Sequence, residues 1–148
     1  MYRNILLLVD STESSAAAVQ CAVSLAKLCG ARLVALAVVD TETLKELLTY
    51  RIMVPEEMEE YERELEQSSA RQLALAEEYA RKAGVSLESR HMKGTVHSVV
   101  LAQREALHAD LVIVSHFRPS VAKRDLLARS KQIILDEVPC AVLVVRKS

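Results

Sequence analysis

Ile5 to Val9, Leu33 to Val39, Leu111 to Val114 and Ala141 to Val145 are unbroken aliphatic runs spread along the whole chain, and they constrain the fold more than any other feature. Such runs suit strands buried on both faces, because a strand with one wet face alternates apolar and polar residues. The segments between them are helical in period. From Ser14 to Cys29, the residues Ala18, Ala22, Leu25, Ala26 and Cys29 recur at helical spacing, and Gly30 stands at the C-cap position. Pro55 opens a long helical stretch to Ala83 that stops at Gly84, and further helices are predicted from about Val96 to His108 and from about Asp125 to Glu137. Val85 to His91 alternates like a strand at a sheet edge, and Lys93-Gly94-Thr95 reads as the turn after it. Thr41 to Val54 is mixed and weakly periodic and receives no element.

Five strands alternating with four helical stretches predict an α/β domain with right-handed crossovers and a parallel sheet covered on both faces. Ligands of such sheets bind beyond the carboxyl ends of the strands, where the strand order reverses. The loops after the first and fourth strands are therefore the candidate site. No internal repeat or linker divides the chain, so residues 1–148 are expected to form a single domain.

Composition narrows the partners. With 19 Lys plus Arg against 20 Asp plus Glu, the net charge is -1, which argues against nucleic acid and anionic membrane as ligands. Aromatics make up 3% and Trp is missing, so base- or sugar-stacking platforms are not expected. No run approaches the roughly 20 apolar residues of a membrane span. The opening residues lack a signal-peptide pattern, and Cys21, Cys29 and Cys140 form no CxxC pair, which reads as buried thiols in a reducing, cytoplasmic setting.

Each candidate feature carries a functional and a plain structural reading. Asp10, ending the first strand, either contacts a ligand at the switch point or caps the helix beginning near Thr12. Arg118, Lys123, Arg124, Arg129 and Lys131 form the basic cluster of the chain and either grip an anion, line a mobile, solvated loop, or form salt bridges to the glutamate-rich helix of a neighbour. The glutamates between Glu56 and Glu66 suit a solvated helix face near a positive helix end, above an inward stripe of Met58, Tyr61, Leu65 and Leu73. His116 is placed to face Asp10 across the first strand, but no nucleophile or substrate grip accompanies it, so no enzymatic activity is expected. His91, His97, His108 and His116 lie on separate elements without ligand spacing, so no metal site is expected.

The opening Tyr2-Arg3-Asn4-Ile5-Leu6-Leu7-Leu8-Val9-Asp10, the strand end Ala37-Val38-Val39-Asp40 and the closing Val138-Pro139-Cys140-Ala141-Val142-Leu143-Val144-Val145-Arg146 together resemble a single-domain universal stress protein. The resemblance implies a doubly wound five-stranded sheet of order 3-2-1-4-5 and a homodimer formed through the last strand, Ala141 to Val145. It also implies a structural role for Cys140. Many members of that family bind ATP or a related nucleotide through Gly-x-x-Gly, nine further residues and Gly-Ser or Gly-Thr, since glycine lets backbone amides touch phosphate. The matching positions here are Ser115, Arg118, Ala128 and Arg129, and Pro119 removes a donor from the loop.

The expectation is a nonenzymatic, dimeric regulatory or scaffold protein of the stress response, with an unidentified protein partner and no ATP held in the usual way. The alternative is a sensor of ATP, AMP or another phosphorylated ligand in a modified pocket built from Asp10, Val38, Ser115, Arg118, Arg129 and Ser130. A weaker third reading is a hydrolase in which His116 and Asp10 activate water.

Overall fold

A computed structural model describes residues 1–118 and 125–147, apart from the side chain of Thr43. Five strands, β1 (Asn4–Leu8), β2 (Arg32–Asp40), β3 (Leu87–Gly94), β4 (Leu111–Ser115) and β5 (Ala141–Val145), form one sheet of order β3-β2-β1-β4-β5. All four pairings are parallel, with Ile5 opposite both Leu33 and Leu111. The strand order therefore reverses at β1, between β2 and β4, and the carboxyl ends of these strands flank a crevice.

The helices are α1 (Ser15–Cys29), α2 (Thr41–Thr49), α3 (Pro55–Lys82), α4 (Val96–Leu107) and α5 (Leu126–Glu137). Alternate residues of the central strands feed two cores. Ile5, Leu7, Leu33, Ala35 and Ile113 pack with Ala18, Ala22 and Val23 of α1 and Leu73, Ala76 and Ala80 of α3. Leu6, Leu8, Val34, Leu36, Val112 and Val114 pack with Val96 and Val100 of α4 and Ile134 of α5. Each fully buried aliphatic side chain contributes roughly 1.5–3 kcal/mol, so the central strands are the most resistant part of the molecule.

Three local expectations are corrected. The segment Thr41 to Val54, left without an element, opens with a nine-residue helix, α2. Its N-terminus is supported by the Asp40 carboxylate, which accepts the Glu42 amide at 3.1 Å. The third strand runs Leu87–Gly94 rather than Val85 to His91, because Met92, Lys93 and Gly94 pair with Val38, Val39 and Asp40 instead of turning. The cysteines, expected to be buried, are half-buried free thiols, and burial still pushes Cys21 and Cys140 above the ordinary thiol value. The glutamate-rich face is solvated for most of its length, but Glu62 and Glu66 reach Lys93 at 3.4 and 2.5 Å and tie α3 to β3. Met58, Tyr61 and Leu65 are half-buried and Leu73 buried, as the inward stripe requires. Among the described residues, no helix is long and apolar enough to cross a membrane.

Candidate functional site

The crevice beyond β1 and β4 is organised by a buried lysine. Lys131, in the second turn of α5, is fully buried, and its Nζ lies 2.8 Å from Asp10 Oδ2. The ammonium also donates to Ser115 Oγ at 2.7 Å and to the Ser115 carbonyl at 3.1 Å. Ser115 Oγ in turn donates to Asp10 Oδ2 at 3.0 Å. The Thr12 amide and hydroxyl donate to Asp10 Oδ1 at 2.9 and 2.5 Å, and the Thr12 and Ser115 hydroxyls lie 2.8 Å apart. A buried charge is tolerated only when it is paired and its remaining donors are satisfied. Here all three ammonium donors have acceptors, and both carboxylate oxygens accept at least two contacts.

Of the two readings of Asp10, the arrangement bears on the capping one. Its carboxylate shapes the turn at Thr12 but does not cap α1, whose N-cap residue is Ser14. The basic cluster is likewise divided. Lys131 is not a surface cation. Arg118 lines a shallow surface depression with Glu13, Ser14, His116, Arg146 and Lys147. Arg129 is exposed on α5, while Lys123 and Arg124, with Pro119, lie outside the described residues. His116 belongs to the Arg118 depression and its amide donates to Val145 O at 2.8 Å, so the expected pairing with Asp10 is not formed. Ser115 takes that place. Ser130 is buried and meets His97 Nδ1 at 3.0 Å, away from Asp10. Of the six expected binding residues, Asp10 and Ser115 touch each other, Asp10 and Val38 both line the cleft described next, Arg118 lines the separate depression, Ser130 meets His97, and Arg129 is exposed on α5.

A cleft of about 270 Å³ opens over the ends of β1 and β2. Its floor is Leu8, Val9, Asp10, Val38, Val39 and Asp40, and its walls come from Tyr61, Leu65, Ser68, Ser69 and Gln72 of α3, with Val96 and Leu127 closing the far side. The α3 residues escape a reading confined to strand-end loops, although their spacing on one face of that helix is the available signal. The N-terminus of α5, where backbone amides would attract an anion, is occupied from within: the Asp125 carboxylate accepts the Ala128 amide at 3.0 Å.

A Ser–Lys contact of 2.7 Å invites comparison with nucleophilic dyads, in which a neutral amine takes the serine proton. Here the amine is held 2.8 Å from the Asp10 carboxylate, and both Ser115 and Lys131 are fully buried. The contact ties Ser115 and Lys131 into one network with Asp10. Among the described residues there is no cluster of His, Cys, Asp or Glu suited to a metal ion.

The family model for the universal stress protein family matches residues 1–146. The chain belongs to that family. Solved structures agree at the level of fold. This universal stress protein aligns over 100% of its length with 98% of the hypothetical protein MJ0577, at 18% identity and a TM-score of 0.75. It aligns over 99% with 98% of a universal stress protein in complex with cAMP, at 20% identity and a TM-score of 0.69. A universal stress protein from Archaeoglobus fulgidus in complex with dAMP aligns over 97% of this chain and 98% of its own, at 12% identity and a TM-score of 0.64. Among curated proteins no match was found.

Proposed function

We propose that this universal stress protein is a nonenzymatic regulatory or scaffold protein of the cytoplasm, built as a single domain and acting as a homodimer that does not hold ATP in a glycine-lined cradle. The observation that carries this reading is the closed Lys131–Asp10–Ser115 network. The switch-point groups that would greet a nucleotide are hydrogen-bonded to one another, so the site is complete without a ligand. Side chains at Ser115, Arg118 and Ala128 also occupy positions where glycine lets a backbone approach phosphate. The dimer reading is supported by β5, an edge strand with a half-buried apolar surface that pairs with β4 on one side. Native mass spectrometry on freshly purified protein tests both parts: the expected species is a dimer without a nucleotide-sized adduct that added ATP leaves unshifted. A dimer that carries or acquires ATP contradicts the reading.

A second reading, a small-molecule sensor, is favoured by the cleft over β1 and β2. Its position beside Asp10 and Val38 suits a ligand related to those named for the cAMP and dAMP complexes. It predicts that such a ligand raises the melting temperature through mass action.

A further inference from the structure

We infer that the connection from α2 to α3 is a docking surface for a basic, amphipathic helical segment of another protein; this rests on the scaffold reading and names the chemistry of its partner. The starting observation is where the molecule leaves apolar side chains in water. Nine large apolar side chains are exposed among the described residues, and four of them, Leu48, Tyr50, Ile52 and Val54, fall between positions 48 and 54. Tyr50 is 67% exposed and Ile52 50%. Single exposed apolar residues are ordinary on a protein surface, whereas a cluster of them marks a place where another molecule sits.

The cluster is presented by a fixed turn. The Ile52 amide donates to Leu47 O at 2.9 Å and the Arg51 amide to Leu48 O at 3.1 Å, a paired closure of the helix end that sets Arg51 in the left-handed region at φ 56°. Glycine or asparagine suits that position best, and polar residues suffice around such a turn. Here an arginine holds it, with Tyr50 before it and Ile52, Met53 and Val54 after it. None of the four exposed apolar residues joins either core of the molecule. Their apolar character therefore serves neither the turn nor the packing of the fold.

Charge selects the partner. Glu42 and Glu46 on α2 and Glu56, Glu57, Glu59 and Glu60 on α3 flank the cluster, against Lys45 and Arg51. Glu56 and Glu57 also suit the positive end of α3. Among the described residues, however, the ion pairs of α3 begin at Glu62 and Glu66, so the carboxylates nearer the turn are open to an outside cation. An apolar cluster rimmed by carboxylates complements a helix with one apolar face bordered by Lys or Arg, the apolar contact supplying affinity and the charges orientation. The same carboxylates repel an anionic lipid surface. Position keeps the site available: α2 packs on α3 and β3, at the edge of the sheet opposite β5, so pairing of two copies through β5 leaves the turn uncovered.

Fluorescence anisotropy tests this on the full chain, with a labelled synthetic helix carrying leucines along one face and lysines along the other, and a leucine–glutamate helix as the control. The lysine peptide is expected to bind, less tightly as salt is added, and the glutamate peptide to stay free. Tyr50→Ser with Ile52→Ser, and separately Glu57→Lys with Glu60→Lys, are each expected to weaken the lysine peptide by about tenfold or more while circular dichroism stays native. No binding of the lysine peptide, or equal binding by the native chain and either folded variant, overturns the inference. Two other occupants also overturn it: association beyond the dimer that Tyr50→Ser with Ile52→Ser abolishes in sedimentation means a second copy, and binding to phosphatidylglycerol vesicles lost in the same variant means a lipid surface. These failures leave the ATP-free dimer standing, whereas ATP uptake in native mass spectra overturns the scaffold reading whatever the peptide does.

Discussion

Replacing Lys131 with Met removes an ammonium and keeps most of the stem volume, so the effect isolates the buried charge. In the native protein Nζ contacts Asp10 Oδ2 at 2.8 Å, Ser115 Oγ at 2.7 Å and Ser115 O at 3.1 Å, with Lys131 fully buried and the Asp10 side chain 10% exposed. Breaking a buried pair by removing one partner costs about 3–5 kcal/mol, because the other charge is left without compensation. Asp10 would retain donors from Thr12 and Ser115, which places Lys131→Met toward the lower end, about 3 kcal/mol. Asp10→Asn strands the ammonium instead, with its fully buried stem and fewer alternative acceptors, and should cost at least as much. In a chain of this length about 2–4 °C of melting temperature accompanies each kcal/mol, so each single variant should melt roughly 6–20 °C lower. The double variant leaves no orphaned charge and should be less damaged than the sum of the singles by about 2 kcal/mol or more, a coupling that urea denaturation of the four proteins measures directly. Lys131→Met within about 1 kcal/mol of the native protein, or additive behaviour in the cycle, would refute the claim that the pair is buried and mutually dependent.

Other outcomes follow from the same structure. Val144→Lys places a charge on the exposed edge strand β5 and should convert the proposed dimer to monomer in light scattering, whereas an unchanged dimer removes β5 as the interface. Gly94→Ala should lose about 1–3 kcal/mol in chemical denaturation, because Gly94 has φ 147° and an added Cβ would lie 2.9 Å from Val99 Cγ2; native stability in that variant would show that the β3–α4 junction relaxes freely. Asp110 is pulled upward by burial, but the Arg3 and Asn4 amides that donate to it outweigh this and hold its carboxyl below the ordinary 3.8. Its contribution is therefore fully present above 3.8 and is lost as pH falls through the depressed value. Asp110→Ala should cost about 1–2 kcal/mol at neutral pH, with the gap to the native protein closing in acid; a gap that persists at pH 2 points to packing as the cause.

The sheet was legible because β1, β2, β4 and β5 are unbroken aliphatic runs; β1, β2 and β4 are buried as such runs suggest, whereas β5, at the sheet edge, is half-buried to exposed. Their ends fall within a residue or two of the expected limits, and the order of strands follows from the family resemblance. β3 was misplaced at its end because Lys93 and Gly94 look like a turn in isolation, and only pairing with Val39 and Asp40 extends the strand. α2 escaped because Leu44, Leu47 and Leu48 give a short stripe that a nine-residue helix cannot make conspicuous. At the site, Val38 and Ser115 were named only through the family resemblance, while Asp10 was identifiable as a strand end. The role of Lys131 was not, since a lysine within a run of basic residues has every local reason to be solvated, and what buries it is a carboxylate 121 positions earlier in the chain. Helical spacing from Asp125 placed Lys131 on the α5 face that also carries Ala128 and Ile134, both buried, and that periodicity was the one available clue.

The most direct test of the closed switch point is a proton–nitrogen NMR spectrum of lysine side chains recorded with and without ATP. A buried, fully hydrogen-bonded ammonium exchanges its protons slowly enough to be seen, so a Lys131 signal that disappears in Asp10→Asn and does not move with ATP is the expected result. A Lys131 ammonium that exchanges like a surface lysine, or one that shifts on ATP addition, would contradict the account.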